Sequence, residues 1–393
     1  MARLPDYIGP AAFGIKMGVI GPETDLANVV VDAIAQCDRD DLLSTGDVVC
    51  ITESVVARSQ NNYVTLTEIA QEIREKLRLS SSSRLGVVFP IASRNRFSMI
   101  MEGIARAVPQ GEVVVQLSWP ADEVGNQVIS EEFPEQLGKS FNDVIGPDEL
   151  RGQDFSHPIT QVDYIKLYQD LIASQGAKAT VFLANDPAAI KDFGCDGVIV
   201  ADIHTRHKTQ VQVARVVPNT ITLVDICSNP TRESWSEWGL LGSNMSAGDK
   251  LKLAPCNASE FATLVQGKIK ENTNKQVEVI IYGDGAYKDP STGIYELADP
   301  KPVFGSTAGF NGVFREGVKY KYLVDMGYTE GKSEQEIQAV LIQKQQEIFE
   351  QDQMETEGTT PRRMEDVIAS LADLVSGSAD AGTPVIVVKG FFG

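Results

Sequence analysis

Short apolar runs alternate with helix-patterned segments along nearly the whole chain, and this alternation restricts the fold more than any other feature. Asp47–Thr52, DVVCIT, is an apolar strand entered through Gly46. Leu85–Ile91, Glu112–Trp119, the runs ATVFLAND and DGVIVADI, and Val277–Asp284 read as further strands. Leu26–Cys37 has helical spacing, as does Leu66–Leu79 with Ile69, Ile73 and Leu77 on one side. Arg96–Val108 turns Phe97, Ile100, Met101 and Ile104 inward, and Gln161–Ser174 reads as one more helix. Strands alternating with helices mean α/β layers, here an α+β arrangement with mixed sheets. The irregular spacing argues against a simple doubly wound sheet. Ala121–Ile159 is polar, with Gly and Pro scattered through it, and reads as long loops or an excursion. Ser333–Gly358 reads as a long polar helix, exposed or facing a partner.

Charge narrows the partners. The 393 residues carry a net charge of -19, a surface that repels nucleic acid and anionic lipid. An anionic ligand then needs local help from Arg, Lys, backbone N–H groups or a metal. The five cysteines are odd in number, widely spaced and without a CxxC, so they read as small core residues in a reducing cytoplasm. MARLPDYIGP has no charged-then-apolar signal pattern. No run approaches the roughly 18–20 apolar residues of a membrane span. The expectation is a cytoplasmic protein.

Five stretches carry possible chemistry. An apolar-faced helix containing Ile368, Leu371 and Leu374 stops at SGSADAG, Ser376–Gly382, and a strand-like run follows from Pro384. Small residues let backbone N–H groups approach an anion, so the loop could wrap phosphates; it could equally be a plain connection with a glycine cap. After the strand ending at Thr52 come Glu53, Ser54 and Arg58, a set suited to phosphate or to a solvated edge. Asp225 and Asp284 each follow an apolar run, where a hard cation such as Mg or Mn is commonly held, although each alone is also a common turn residue. VADIHTRHKTQ places Asp202, His204, Arg206 and His207 together. A transition metal there needs a further ligand, for which Asp225 is available; the alternation also fits one solvated strand face. Finally, Arg94 and Arg96 stand at a helix start, where a carboxylate or phosphate is attracted, or are simply surface arginines.

In this order the stretches resemble one family, the coenzyme F420-0:L-glutamate ligases, the gamma-glutamyl ligases of the deazaflavin coenzyme. GDVVCITESVVARSQ is similar to the family's N-terminal motif, and ASLADLVSGSADAGTPVIVVKG to its C-terminal one. TLVDICSNP and VEVIIYGD resemble two central motifs. The resemblance implies a ligase forming C–N bonds from L-glutamate and a small carboxylate-bearing acceptor, through an acyl phosphate. It implies GTP as co-substrate, divalent Mg or Mn, and a homodimer. It places Thr52, Glu53, Arg58 and Asn229 at the nucleotide, together with Ser376, Gly377, Ser378, Ala379, Asp380, Ala381, Gly382 and Thr383. Asp225, Asp284 and Ser378 fall at metal, with Arg58 and Asp284 in catalytic roles, and Arg94 and Arg96 are assigned to the acceptor. Residues 1–79 and 181–393 would form the ligase core, and 80–180 an inserted α/β segment. The chain departs from the motifs at Ser54, Arg58, Gly285 and Ser378, where the family usually has Lys, Lys, Thr and Gln. Two rivals follow: a non-catalytic relative that binds a nucleotide or metabolite, and a metal-dependent hydrolase built on Asp202, His204 and His207.

Overall fold

The computed structural model describes residues 4–5, 7–22, 24–94, 96–157, 161–283, 300–315, 319–346, 362–376 and 382–392, with the strand pair at 287–288 and 295–296. Two five-stranded sheets organise them. In the first, β2 (Val48–Thr52) is buried along its whole length, and alternate side chains serve different layers. Val49 and Ile51 pack with Val30 and Ile34 of α1 (Leu26–Arg39) and with Val265 and Ile269 of α9 (Ala258–Thr273). Val48 and Cys50 pack on the opposite face against Ile368 and Ala372 of α12 (Met364–Ser376). A strand apolar at every position is thus one with helices on both sides.

The order in this sheet is β1 (Ala11–Ile15), β17 (Val385–Lys389), β2, β11 (Glu278–Tyr282), β14 (Val303–Ser306). β2 and β11 are parallel, with Thr52 opposite Tyr282. β17 runs antiparallel between β1 and β2, so the closing strand is locked into the middle of the sheet. Its Lys389 ammonium reaches the buried Asp47 carboxylate and donates to the Leu42 carbonyl at 2.9 Å.

The second sheet is all parallel. Its order is β6 (Lys178–Leu183), β5 (Glu112–Leu117), β4 (Arg84–Val88), β7 (Gly197–Val200), β8 (Thr220–Thr222). Helices α3 (Leu66–Leu77), α4 (Ser98–Arg106) and α7 (Tyr164–Ser174) bury Ile73, Ile104 and Ile172 on one face. Val213 of α8 (Arg206–Ala214) and Ile190 cover the other. The mixed α/β architecture matches the reading of the sequence. A doubly wound sheet is nevertheless present, as one of two; the irregular spacing comes from its interruption of the other. Its last strands, β7 and β8, lie beyond residue 180, and α3, which covers it, lies before residue 80.

Smaller pieces join the two. β3 (Tyr63–Thr65), β9 (Asn244–Met245) and β10 (Lys250–Lys252) form a three-stranded sheet in the order β3-β10-β9. Short helices α5 (Glu132–Gln136) and α6 (Pro147–Leu150) interrupt the polar stretch expected to be loops. The expected long polar helix is described over α11 (Glu334–Gln346), paired with α10 (Tyr320–Thr329) around Leu323, Ile337 and Leu341.

The Asp47–Lys389 pair yields the first prediction. Burial raises the Asp47 carboxyl above the ordinary carboxylate range, and the Lys389 hydrogen bond opposes that shift. Lys389→Met strands the carboxylate and should destabilise the protein by about 3–5 kcal/mol in chemical denaturation. Asp47→Asn added to it should recover most of the loss; a double variant as unstable as the single would mean that Lys389 acts through packing alone.

Candidate functional site

Strand direction builds the first candidate site. β2 and β11 are parallel and leave the sheet at one edge, through Thr52 and Gly283. β17 is antiparallel to β2, so it enters at that same edge, and the Thr52 N–H donates to the Pro384 carbonyl at 3.0 Å. Thr52, Gly283 and the segment Gly382–Pro384 therefore lie at one edge. Gly382 belongs here too: its carbonyl accepts from the Met17 N–H at 3.0 Å, and its φ is +85°. Thr383 sits half-buried, close against Gly14. Ser376 ends α12, buried, with its hydroxyl 3.2 Å from the Asp373 carbonyl. Asp284, Gly377, Ser378, Ala379, Asp380 and Ala381 lie outside the described residues.

The other residues assigned to this site from sequence have diverse surroundings. Glu53 is buried, and both its carboxylate oxygens lie 2.8 Å from the Lys252 ammonium on β10. Arg58 is exposed in the last turn of α2 (Glu53–Ser59). Asp225 lies at the end of β8 in the second sheet. Its carboxylate accepts from the Thr222 N–H at 2.7 Å and the Thr222 hydroxyl at 2.9 Å, closing a short turn. Asn229 is exposed, and its side-chain oxygen accepts from the Thr231 N–H and hydroxyl at 3.0 and 2.9 Å. Sequence reasoning missed two lysines. Lys252 is one. Lys301 is the other: it precedes Pro302, whose carbonyl accepts from the Gly283 N–H at 2.9 Å, so it flanks the converging edge. Its ammonium lies 4.9 Å from the Trp238 ring centroid. Burial first, and Arg363 next, hold it below the ordinary lysine range. No local pattern marks either, because their partners are brought together only by the fold.

The second candidate site is the carboxyl edge of the parallel sheet. In this strand order the connections reverse direction between β4 and β7, and ligands of such sheets bind in the crevice outside the strand ends at that point. The loop after β4 holds Arg94 and Arg96; the loop after β7 holds Asp202 and His204, and Arg206 opens α8. The loop after β5 ties both. Asp122 accepts from the Ala92 N–H at 2.7 Å, and Glu123 accepts from the Ile203 N–H and, at 3.1 Å, from the His204 N–H. Asp202 is 1% exposed. One of its oxygens accepts from the Thr205 and Thr209 hydroxyls at 2.6 and 2.7 Å, and the other has no hydrogen-bond partner among the described residues.

Asp202, His204 and His207 do not make a metal site: among the described residues no three His, Cys, Asp or Glu side chains stand together as a cation would need. Asp202 is buried and bonded to threonines, and His204 is exposed at the strand's end, so the stretch is not one solvated face either. No helix among the described residues is long and apolar enough to cross a membrane.

Burial holds the Asp202 carboxyl above its ordinary value of 3.8. The folded state therefore binds this proton more tightly than the unfolded chain does. The resulting stabilisation is full below the ordinary value and is lost as pH rises through the raised one. Asp202→Asn should remove that dependence, so its Tm relative to wild type should climb between about pH 4 and neutrality. Parallel Tm curves across this range would show that Asp202 titrates normally.

The family model of F420-0:gamma-glutamyl ligase matches residues 14–390, nearly the whole chain. No curated protein matches. The chain belongs to the F420-0:gamma-glutamyl ligase family, a family of enzymes that form C–N bonds.

Proposed function

We propose that this chain is a nucleotide- and divalent-cation-dependent gamma-glutamyl ligase that joins L-glutamate to a small carboxylate-bearing acceptor, with GTP as co-substrate. The observation that carries the reading is the strand register that brings Thr52, Gly283 and Gly382–Pro384 to one edge. They belong to three of the four stretches in which the sequence resembles the family; the fourth, TLVDICSNP, ends β8 of the other sheet.

The chemistry suits such an edge. A carboxylate is a poor electrophile, and converting it to an acyl phosphate lets an amine attack. Catalysis is then mostly positioning and charge neutralisation, with little demand for a protein nucleophile. In this reading Thr52, Gly382 and Thr383 bound the phosphates, and Lys301 supplies positive charge beside them. Glu53 is a positioning residue, fixed by Lys252 so that β2 ends in one conformation. The described residues alone do not form a cation site, so the metal assignment rests on Asp284 and Ser378, outside them, with Asp225 held by its own turn. Arg94 and Arg96 are proposed to bind an anionic group of the acceptor from the neighbouring crevice. The enzyme is proposed to act as a homodimer.

Glutamate-dependent release of phosphate from GTP in the presence of Mg or Mn tests the reading. Nucleotide binding without such turnover would favour a non-catalytic binding relative instead. Lys301→Ala removes one charged partner of the phosphates, so GTP affinity should fall by about ten- to a hundredfold, the equivalent of ~1.5–3 kcal/mol. Calorimetry with and without chelator measures both claims: equal GTP affinity in chelator would remove the cation, and unchanged affinity in Lys301→Ala would remove the lysine.

A further inference from the structure

The hairpin that follows β5 crosses the carboxyl edge of the parallel sheet. β4 stands between β5 and β7 in the strand order, yet side chains of this hairpin reach the loops after both. Ala121 pairs with Gln127 across its base, and the Asp122 N–H donates to the Asn126 carbonyl at 3.0 Å. The Asp122 carboxylate fixes the turn from inside. It accepts from the Val124 and Asn126 N–H groups at 3.0 and 2.8 Å and from the Asn126 side-chain amide at 3.0 Å. The same carboxylate takes the Ala92 N–H at 2.7 Å, so the hairpin is a preformed unit anchored to the loop after β4.

On the β7 side the hairpin holds on by one side chain. Glu123 is an exposed residue whose carboxylate accepts from the Ile203 N–H and, at 3.1 Å, from the His204 N–H. The side-chain bonds from Thr205 and Thr209 to Asp202, and from Arg206 to the Ile203 carbonyl, are internal to this turn and to α8. The loop after β4 has a second tie, because the buried Tyr168 hydroxyl donates to the Ile91 carbonyl. The two sides therefore differ. Releasing Asp122 would break four hydrogen bonds, whereas an exposed carboxylate such as Glu123 exchanges its two N–H donors for water at small net cost.

The tied loops supply walls of one small cavity. Ile91 comes from the loop after β4 and Ile203 from the loop after β7; Phe97, Leu223 and Leu240 complete an apolar lining, and Arg96 is part of it. The cavity measures about 20 Å³, room for one water at most. Its width depends on the distance between Ile91 and Ile203, the distance that the hairpin sets. We propose that the hairpin Ala121–Gln127 is a strap latched by Glu123: latched, it holds the two loops together and keeps this cavity closed, and release of Glu123 lets the turn at Ile203 move out and opens the cavity to a ligand with an apolar body and an anionic group. A pocket of this kind belongs to a minor conformation that its ligand makes dominant. The proposal concerns the strap itself and holds whether or not the crevice takes the ligase's acceptor.

Hydrogen exchange on the full-length chain, read by mass spectrometry over Ala201–Arg206 and over β7, tests the latch. Glu123→Ala should speed exchange in Ala201–Arg206 by about tenfold or more and leave β7 unchanged. Glu123 also acts through its charge on Asp202 and His204, and two further variants separate that effect from the contact. Glu123→Asp keeps the charge and loses the reach, so it should behave as Glu123→Ala does; Glu123→Gln keeps the reach and one acceptor, so it should lie nearer wild type. The opened cavity is probed with 1-anilinonaphthalene-8-sulfonate, an apolar ring system bearing one anionic group. Its affinity for Glu123→Ala should exceed that for wild type by about tenfold, and adding Arg96→Ala should remove the gain. Unchanged exchange in Glu123→Ala would overturn the proposal, as would exchange that rises equally in β7, since Glu123 would then support the sheet at large. A Glu123→Asp protein like wild type, or faster exchange with no gain in dye affinity, would overturn it as well.

Discussion

The parallel pairing of β2 with β11 is the contact on which the rest depends. It sets Val48 opposite Glu278 and Thr52 opposite Tyr282, so residues some 230 positions apart must meet in one register. Because the strands are parallel, the chain leaving β2 cannot turn back directly; it must travel out and return to the opposite end of the sheet. The intervening residues use that journey to build a second, complete parallel sheet. β17 then closes the first sheet from the other side, and its direction brings its leading segment to the edge where β2 and β11 exit. One register therefore determines both the architecture and the edge that three of the four family-like stretches share.

Ion pairs on buried carboxylates fasten the same arrangement. Asp47 with Lys389, Glu53 with Lys252, and Glu72 with Arg232 each join segments far apart in the chain. Such pairs add little net stability over well-packed apolar residues, but a mispaired arrangement strands a charge in the interior, which costs several kcal/mol. Each stands at a junction: Asp47 before β2, Glu53 after it, and Glu72 where α3 accepts from the Cys227 N–H at 3.0 Å. In a chain with net charge -19, keeping these carboxylates matched to particular cations restricts where each strand can dock.

The strands were legible because each holds a short run of apolar residues, and the helices because one face is apolar. Which sheet each strand joins was not, since Leu85–Val88 and Val279–Tyr282 carry the same kind of local signal. Strand-end acids show the limit most clearly. Glu53, Asp202 and Asp225 all read as ligand-binding carboxylates. The fold gives Glu53 to Lys252, 199 residues away, and Asp225 to Thr222, three residues away. Asp202 keeps one oxygen without a hydrogen-bond partner among the described residues, and that distinction depends on threonines of the following helix. The convergence of Thr52 with the segment before Pro384 was reached through resemblance, because nothing within either stretch states that their strands are neighbours. Lys301 had no signal: its setting is made by Trp238 and Gly283, both remote in sequence.

The segment from Ile226 to Ser243 explains how two sheets with separate edges can act as one body. It departs from β8 of the parallel sheet, and the Leu240 N–H returns to the Leu223 carbonyl at 3.0 Å. Gly239, at φ +57°, passes so near the Leu223, Val224 and Ile226 carbonyls that a side chain there would overlap all three. On its other side Trp238 meets Phe304 of β14 edge-on, with centroids 5.9 Å apart, and carries Lys301 over its ring. Asn62, just after α2, clasps the Trp235 backbone through both ends of its amide. One short run of chain thus touches the end of β8, the strand beside Gly283 and the turn following α2. The residue that meets β14 and carries Lys301, Trp238, thus belongs to the same run of chain that packs against the end of β8.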